Sequence, residues 1–269
     1  MALNLELPRE LGDDAQRGDI DSVCAWLDSG GSVDAQESDT TFTLLSCCAF
    51  GSLPEQEIGE EQLALARVLV ARGANVNLAT RPDGVYKSCY PLHFACANLT
   101  DCSPAMVSLL LAAGALANAR CAENENLHTP LAWVLTFYNT EMQQESSMRL
   151  CLDIVTMLLR AGASLDACGG EDGTATAEQM WYESSYKLRS LELSEDDEHW
   201  VAVKALLDGV RAAGSYKRYA RSFHRDVLAV RGLAQRGKLS TSDPVLSFLA
   251  RRADNGVAWK ILEYWRATN

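Results

Sequence analysis

No stretch of this 269-residue chain approaches the roughly 18 uncharged apolar residues that mark a membrane-spanning helix, so none is expected. Met1 to Glu10 lacks a basic start followed by an apolar run, and it is acidic and poor in Ser and Arg. Neither a secretory leader nor a transit peptide is therefore expected. Gly-x-Ser-x-Gly is absent, which removes the usual strained hydrolase nucleophile. So is a glycine loop followed by Lys-Ser/Thr. The richest glycine run, Gly169-Gly170-Glu171-Asp172-Gly173, fits a hairpin turn instead. The nine cysteines, at 24, 47, 48, 89, 96, 102, 121, 151 and 168, never form the close Cys-x-x-Cys type of pair that a structural zinc site needs. Histidine is scarce, with only His93, His128, His199 and His224. Carboxylate pairs lie in acidic loops with no apolar setting to raise a pKa for acid–base work. The expectation is a non-enzyme: no catalytic residue, no cofactor, no metal, no small-molecule substrate. Unpaired cysteines without a leader read as reduced thiols in the cytoplasm or nucleus.

Basic residues are also scarce, but unevenly. Residues 1–208 hold 12 Lys+Arg against 32 Asp+Glu, a net of −20, whereas residues 209–269 hold 12 against 4, a net of +8. The overall net of −12 argues against nucleic acid, which binds through phosphate neutralisation by Lys and Arg. The change of sign near residue 208 predicts a domain boundary. The basic end can dock on the acidic body or reach an acidic partner.

What the chain does have is a repeat. Leu27-Asp-Ser-Gly30-Gly31-Ser-Val-Asp-Ala35 returns as Val70-Ala-Arg-Gly73-Ala74-Asn-Val-Asn-Leu78. It returns again as Leu111-Ala-Ala-Gly114-Ala115-Leu-Ala-Asn-Ala119 and Leu159-Arg-Ala-Gly162-Ala163-Ser-Leu-Asp-Ala167. The marker glycines are 43, 41 and 48 residues apart. An apolar-periodic segment precedes each: Ile20–Leu27, Leu63–Val70, Met106–Leu111 and Leu152–Leu159. Gly at the end of each predicted helix supplies a left-handed cap without a Cβ penalty. A second phrase lies between: Tyr90-Pro-Leu-His-Phe-Ala95 and Thr129-Pro-Leu-Ala-Trp-Val134, with weaker copies Thr43-Leu-Leu-Ser-Cys-Cys48 and Ala175-Thr-Ala-Glu-Gln-Met180. Pro91 and Pro130 suit the first turn of a helix, and Thr129 suits the cap before it.

Thr-Pro-Leu-His-x-Ala opening one helix, and Leu-Leu-x-x-Gly-Ala-x-x-Asn closing the next, resemble the ankyrin repeat. The resemblance implies an all-α ankyrin-repeat solenoid of about five repeats over residues 6–207. They divide approximately as 6–35, 36–79, 80–119, 120–167 and 168–207, with a basic helical C-terminal cap over 208–269. In that family the His equivalent to His93 bridges neighbouring turns by hydrogen bonds. The periods exceed the family's 33 residues, so inserts are expected between paired helices at Gly51–Gly59, Asn139–Ser147 and Tyr182–Glu198. The last of these ends in Glu195-Asp-Asp-Glu198. Helices are expected in the tail at Val210–Leu233, Pro244–Arg251 and Val257–Arg266, with breaks at Gly237 and Asn255-Gly256. The tail, ending in Trp259-Lys-Ile-Leu-Glu-Tyr-Trp-Arg266, resembles the C-terminal segment of ankyrin-repeat proteins of microalgae and related protists.

The resemblance implies binding to another protein through the concave face and turn tips. Cys47, Phe94 and Trp133 follow the His-equivalent position in successive repeats, with Asn98, Phe137 and Tyr138 one helical turn on. Trp133 and Phe137, at i and i+4, share a face. Two readings stand side by side: Phe94, Trp133 and Phe137 form an exposed aromatic ridge, or Trp133 or Phe137 packs beneath the long loops. The expected tips are Arg81, Asp83, Val85 and Tyr86 in one finger and Glu123, Asn124 and Glu125 in the next. An adaptor or subunit of a larger assembly is the first expectation. The alternative is a substrate-recruiting module of a ubiquitin ligase, whose C-terminal helices, with Trp259, Tyr264 and Trp265, contact the ligase.

Overall fold

The computed structural model of the chain describes residues 4–51, 58–84, 86–97, 99–123, 126–141, 145–170, 172–189 and 198–236. The fold is mostly helical. The helices come in pairs: α1 (Arg9–Arg17) with α2 (Ile20–Asp28), α3 (Leu44–Phe50) with α4 (Glu60–Ala71), and α5 (Pro91–Ala97) with α6 (Ser103–Ala112). Then come α7 (Pro130–Glu141) with α8 (Glu145–Arg160), α9 (Ala177–Arg189) with α10 (Glu198–Ala213), and finally α11 (Tyr216–Gln235). Among the described residues, strands amount to two short ribbons. In the first, β1 (Asn4–Glu6) runs parallel to β2 (Gly31–Gln36). In the second, β3 (Cys121–Glu123) runs antiparallel to β4 (Asn126–His128).

The repeated phrases set the helix ends. Pro91 and Pro130 are the first residues of α5 and α7, where a missing N–H costs nothing. Thr43 accepts from Ser46 N at 3.1 Å and Thr129 from Ala132 N at 3.3 Å, each satisfying an orphan donor of the first turn. The weakest copy makes the fullest cap. Thr176 N donates to Gln179 Oε1 at 2.7 Å while Gln179 N donates to Thr176 Oγ1 at 3.3 Å, a reciprocal capping box. At the other end, Gly30, Gly73, Gly114 and Gly162 take φ of 105°, 88°, 95° and 95°. A Cβ at any of the four would meet nothing within 4 Å, so backbone conformation rather than space requires glycine there.

The pairs stand in a row. Within each of the first four, one helix packs on its mate. First helices pack on first helices, from α1 to α3, α5, α7 and α9, and second helices on second helices, from α2 to α4, α6 and α8. A helix between three neighbours has no wet face, and α3 is buried at all seven positions. That explains why α3, α5 and the start of α7 are apolar on nearly all sides. The fifth pair is joined by Trp181 and Trp200, which stack with ring centroids 4.0 Å apart.

A polar clasp sets the register between pairs. Four residues after each marker glycine stands an Asp or Asn. Asp34 accepts from Asn75 N at 2.8 Å, Asn77 from Leu116 N at 2.9 Å, and Asn118 from Ser164 N at 2.8 Å. Each acceptor thus holds the amide two residues past the next marker glycine. Asn77 and Asn118 also donate, to Gly114 O at 3.0 Å and Gly162 O at 2.9 Å. These carbonyls belong to the helix C-terminal turns, whose last C=O groups have no partner within the helix.

Two expected inserts are largely helical. Residues 139–141 belong to α7 and 145–147 to α8, and α9 continues from Tyr182 to Arg189. Extending an existing hydrogen-bond ladder costs less than starting a new one, so these residues lengthen their helices. Of the Gly51–Gly59 insert, residues 52–57 lie outside the described set, as do 190–197 with most of the acidic run.

Contacts divide the chain into two units, Met1–Asp208 and Gly209–Asn269. In the second unit, the single helix expected over Val210–Leu233 is broken, because Gly214 adopts φ 76° and ends one helix two residues before α11 begins. Along α11, Lys217, Arg218, Arg221 and Arg225 are exposed. The helices expected at Pro244–Arg251 and Val257–Arg266, the breaks at Gly237 and Asn255-Gly256, and Trp259, Tyr264 and Trp265 lie outside the described residues. Among the described residues, no helix is long and apolar enough to cross a membrane.

Candidate partner-binding face and the thiol cluster beneath it

The segments joining one pair to the next form four fingers: 29–43, 72–90, 113–129 and 161–176. Each folds back on itself at its base. Glu37 N donates to Phe42 O at 2.9 Å and Thr80 N to Cys89 O at 2.8 Å. Cys121 pairs with His128 across β3 and β4, and Gly169 bridges Ala175. Fingers are tied to neighbours as well: Arg81 Nη2 donates to Ser38 O at 2.8 Å, Ala122 N to Lys87 O at 2.9 Å, and Arg120 Nη2 to Ala167 O at 2.6 Å.

The aromatic ridge is not exposed. Phe94 is 1% and Trp133 2% accessible, and Cys47 before them is fully buried. The reason is the finger of the third pair, whose Tyr86 lies over the inner helices. Its ring centroid is 5.5 Å from that of Phe94, 5.4 Å from Phe42 and 5.6 Å from Phe50. Phe94 in turn meets Trp133 edge-on at 5.9 Å. Of the two readings, packing beneath the connections describes Phe94 and Trp133. Phe137 and Tyr138 belong to α7, but their side chains lie outside the described set.

The expected tips are placed differently. Arg81 and Asp83 are exposed and lie 3.8 Å apart. Such a solvated pair contributes little to stability and leaves both charges open to a partner. Tyr86 is half-buried, with its ring turned to the phenylalanines. Glu123 is the last residue of β3, its side chain undescribed. Val85, Asn98, Asn124 and Glu125 lie outside the described residues.

Beneath the fingers the structure assembles a cluster that no spacing in the sequence announces. Tyr90 N donates to His93 Nδ1 at 3.2 Å, so the Nε2 of a neutral His93 carries the proton. That Nε2 lies 3.2 Å from His128 O, which links the turn of α5 to the turn of α7. Trp133 Nε1 donates to Cys121 Sγ at 3.1 Å. The Cys121 pKa is drawn below the usual thiol range, chiefly by hydrogen bonding from the Cys89 thiol, although burial opposes this. Burial does the reverse elsewhere, alone pushing Cys96 and Cys151 well up and as the chief cause pushing Cys168 up to about 11. His128 is pushed down, chiefly by burial. Its Nδ1 has no hydrogen-bond partner among the described residues. Cys89 precedes Pro91 by two residues, and Cys121 stands in the next finger; only stacking joins them. Among the described residues, no group of three or more His, Cys, Asp or Glu is arranged to hold a metal ion.

Another buried acid sits at the first finger base. Glu37 is only 6% accessible, and burial raises its pKa against the opposing hydrogen bond from Thr40. A Cβ on Gly12 would lie 1.8 Å from Glu37 Oε1, so glycine on α1 makes room for the carboxyl.

No protein-family model matches the chain, and no curated protein matches it.

Proposed function

We propose that the chain is an ankyrin-repeat solenoid that binds another protein through its finger tips, as an adaptor or a subunit of a larger assembly. The observation that carries this reading is the row of clasped helix pairs. Asp34, Asn77 and Asn118 lock successive pairs in one register, so the fingers project at regular steps. A surface built by repetition in one direction suits an extended partner rather than a small substrate. The tips carry open charge at Arg81 and Asp83. Burial of Phe94 and Trp133 moves the expected contact outward from the inner helices to those tips.

The test compares two charge reversals in the full chain. Asp83→Arg alters a finger tip, and Arg67→Glu alters an exposed position on α4. Tagged variants are recovered from the source cells, and co-purifying proteins are quantified against the unaltered chain, with circular dichroism checking the fold. Loss of a specific partner with Asp83→Arg but not with Arg67→Glu is expected. Loss with Arg67→Glu alone would move the interface to the second helices and end the finger reading.

A further inference from the structure

The second unit holds the chain's excess of cations, a net of +8 over residues 209–269. Its helix α11 is fixed in rotation. Tyr219 occupies the space that Gly209 of α10 leaves, where a Cβ would lie 2.4 Å from the Tyr219 ring. Tyr216, Tyr219 and Ala220 are half-buried on that side. The other side is exposed at Lys217, Arg218, Arg221 and Arg225, and further on at Ala229 and Leu233. Steps of three and four residues keep these positions on one face. Elsewhere a cation finds a carboxylate, as Arg72 finds Asp28 at 2.6 Å. Among the described residues, no carboxylate pairs with Lys217, Arg218 or Arg221.

Helix stability does not account for this placement. Helices α1, α2, α4, α9 and α10 each put an acid in the first turn, where it complements the positive end of the helix dipole. The first turn of α11 has no acid and holds Lys217 and Arg218 instead. Cations there weaken the helix that carries them. We infer that the exposed face of α11 docks an acidic helical segment of a partner protein, with carboxylates over Lys217, Arg218 and Arg221 and an apolar side chain over Ala229 and Leu233. Side chains at i and i+4 stand about 6 Å apart, so cations one turn apart match carboxylates one turn apart on a second helix. Charge brings the two together and Leu233 sets the register.

Other anions fit less well. A nucleic acid or an anionic bilayer is a large uniform polyanion and meets the field of the whole chain, a net of −12 with −20 over residues 1–208. A short segment carries few charges and meets chiefly the face beneath it, because charges beyond about 10 Å are screened at ordinary salt. A phosphate backbone offers nothing to Leu233, which is 37% accessible. One leucine and one alanine are too little apolar surface to hold a helix in a bilayer. The inference does not rest on the finger-tip reading, because it concerns the second unit alone.

The probe is a fluorescein-labelled helical peptide of about 20 residues, the length that spans the roughly 30 Å of α11. Along one face it carries Glu over one half and Leu over the other, at helical spacing. Its anisotropy is titrated with the full-length chain. Saturable binding is expected, weakening about tenfold between about 50 and 300 mM salt. Arg221→Glu should weaken it about tenfold, and Arg221→Lys only about twofold, because Lys keeps the charge but not the planar fork. Leu233→Ser should weaken it about threefold and leave the salt dependence unchanged. Arg67→Glu, at an exposed position on α4, should bind as the unaltered chain does. Each altered position is exposed, and circular dichroism checks that the variants fold. Absence of binding, or binding that Arg221→Glu leaves intact, overturns the proposal. So does tighter binding of phosphatidylserine vesicles or of single-stranded RNA that Arg221→Glu removes. Salt-sensitive self-association abolished by Arg221→Glu overturns it too, since the occupant would then be a second copy.

Discussion

The turns that close the helix pairs and the bases of the fingers follow opposite rules. The first three closing turns use one solution: a glycine at positive φ, then an Asp or Asn that grips the next pair. Every finger base uses a different one. Seven residues past the marker glycine stand Glu37, Thr80, Cys121 and Gly169 in turn. Glu37 is a buried acid, Thr80 bonds the backbone of Cys89 from both sides, Cys121 accepts the Trp133 indole N–H, and Gly169 lies against His128 and Met180. What recurs holds the row together, and what varies gives each finger its own chemistry.

The contrast can be broken experimentally. The largest effect belongs to a base: Trp133→Ala removes a buried indole and the donor to Cys121, and should cost about 3–5 kcal/mol in urea unfolding. A full-strength fold after that change would restore the exposed-ridge reading. Next come the clasps. Asn118→Ala removes one accepted and one donated bond between pairs, worth together about 1–2 kcal/mol given that both are exposed. Chemical denaturation of Asn118→Asp should show a smaller loss, since only the donor goes.

Glycines separate the two rules further. Gly114→Ala should cost about 1 kcal/mol from its φ alone, and Gly114→Asn less, because Asn tolerates that conformation. Gly169 has no such φ, but a Cβ there would lie 2.8 Å from His128 Nδ1 and 3.0 Å from Met180 Cε. At Gly169 the order should therefore reverse, with Asn worse than Ala in thermal melts. The smallest effect is Glu37→Gln. Burial raises the Glu37 pKa in the folded chain, so folding favours its protonated form. Its stabilising contribution is present below the unfolded carboxyl value and is lost as pH rises through the raised folded value. The melting temperature of Glu37→Gln should accordingly exceed that of the unaltered chain at pH 7, and the gap should shrink to nothing as pH falls below the carboxyl range.

Much of the row was legible in residues, because its causes are local. Gly30, Gly73, Gly114 and Gly162 betray themselves by conformation, and Pro91, Pro130 and Thr129 mark helix starts through hydrogen-bonding rules that act within four residues. The limits came where distance in sequence and distance in space part. Phe94 and Trp133 carry the same letters whether a finger covers them or not, and only the position of Tyr86 decides. His93 and His128 are 35 residues apart, so their hydrogen bond exists only after stacking. Composition also misled at Asn139–Ser147, where a long period reads as a loop but is mostly longer helix.

The clasps join each pair to its immediate neighbours. Such a chain, held at two points and pulled, has no single lock that must break before the rest can yield. It should lengthen in steps, one pair letting go while the others keep their shape.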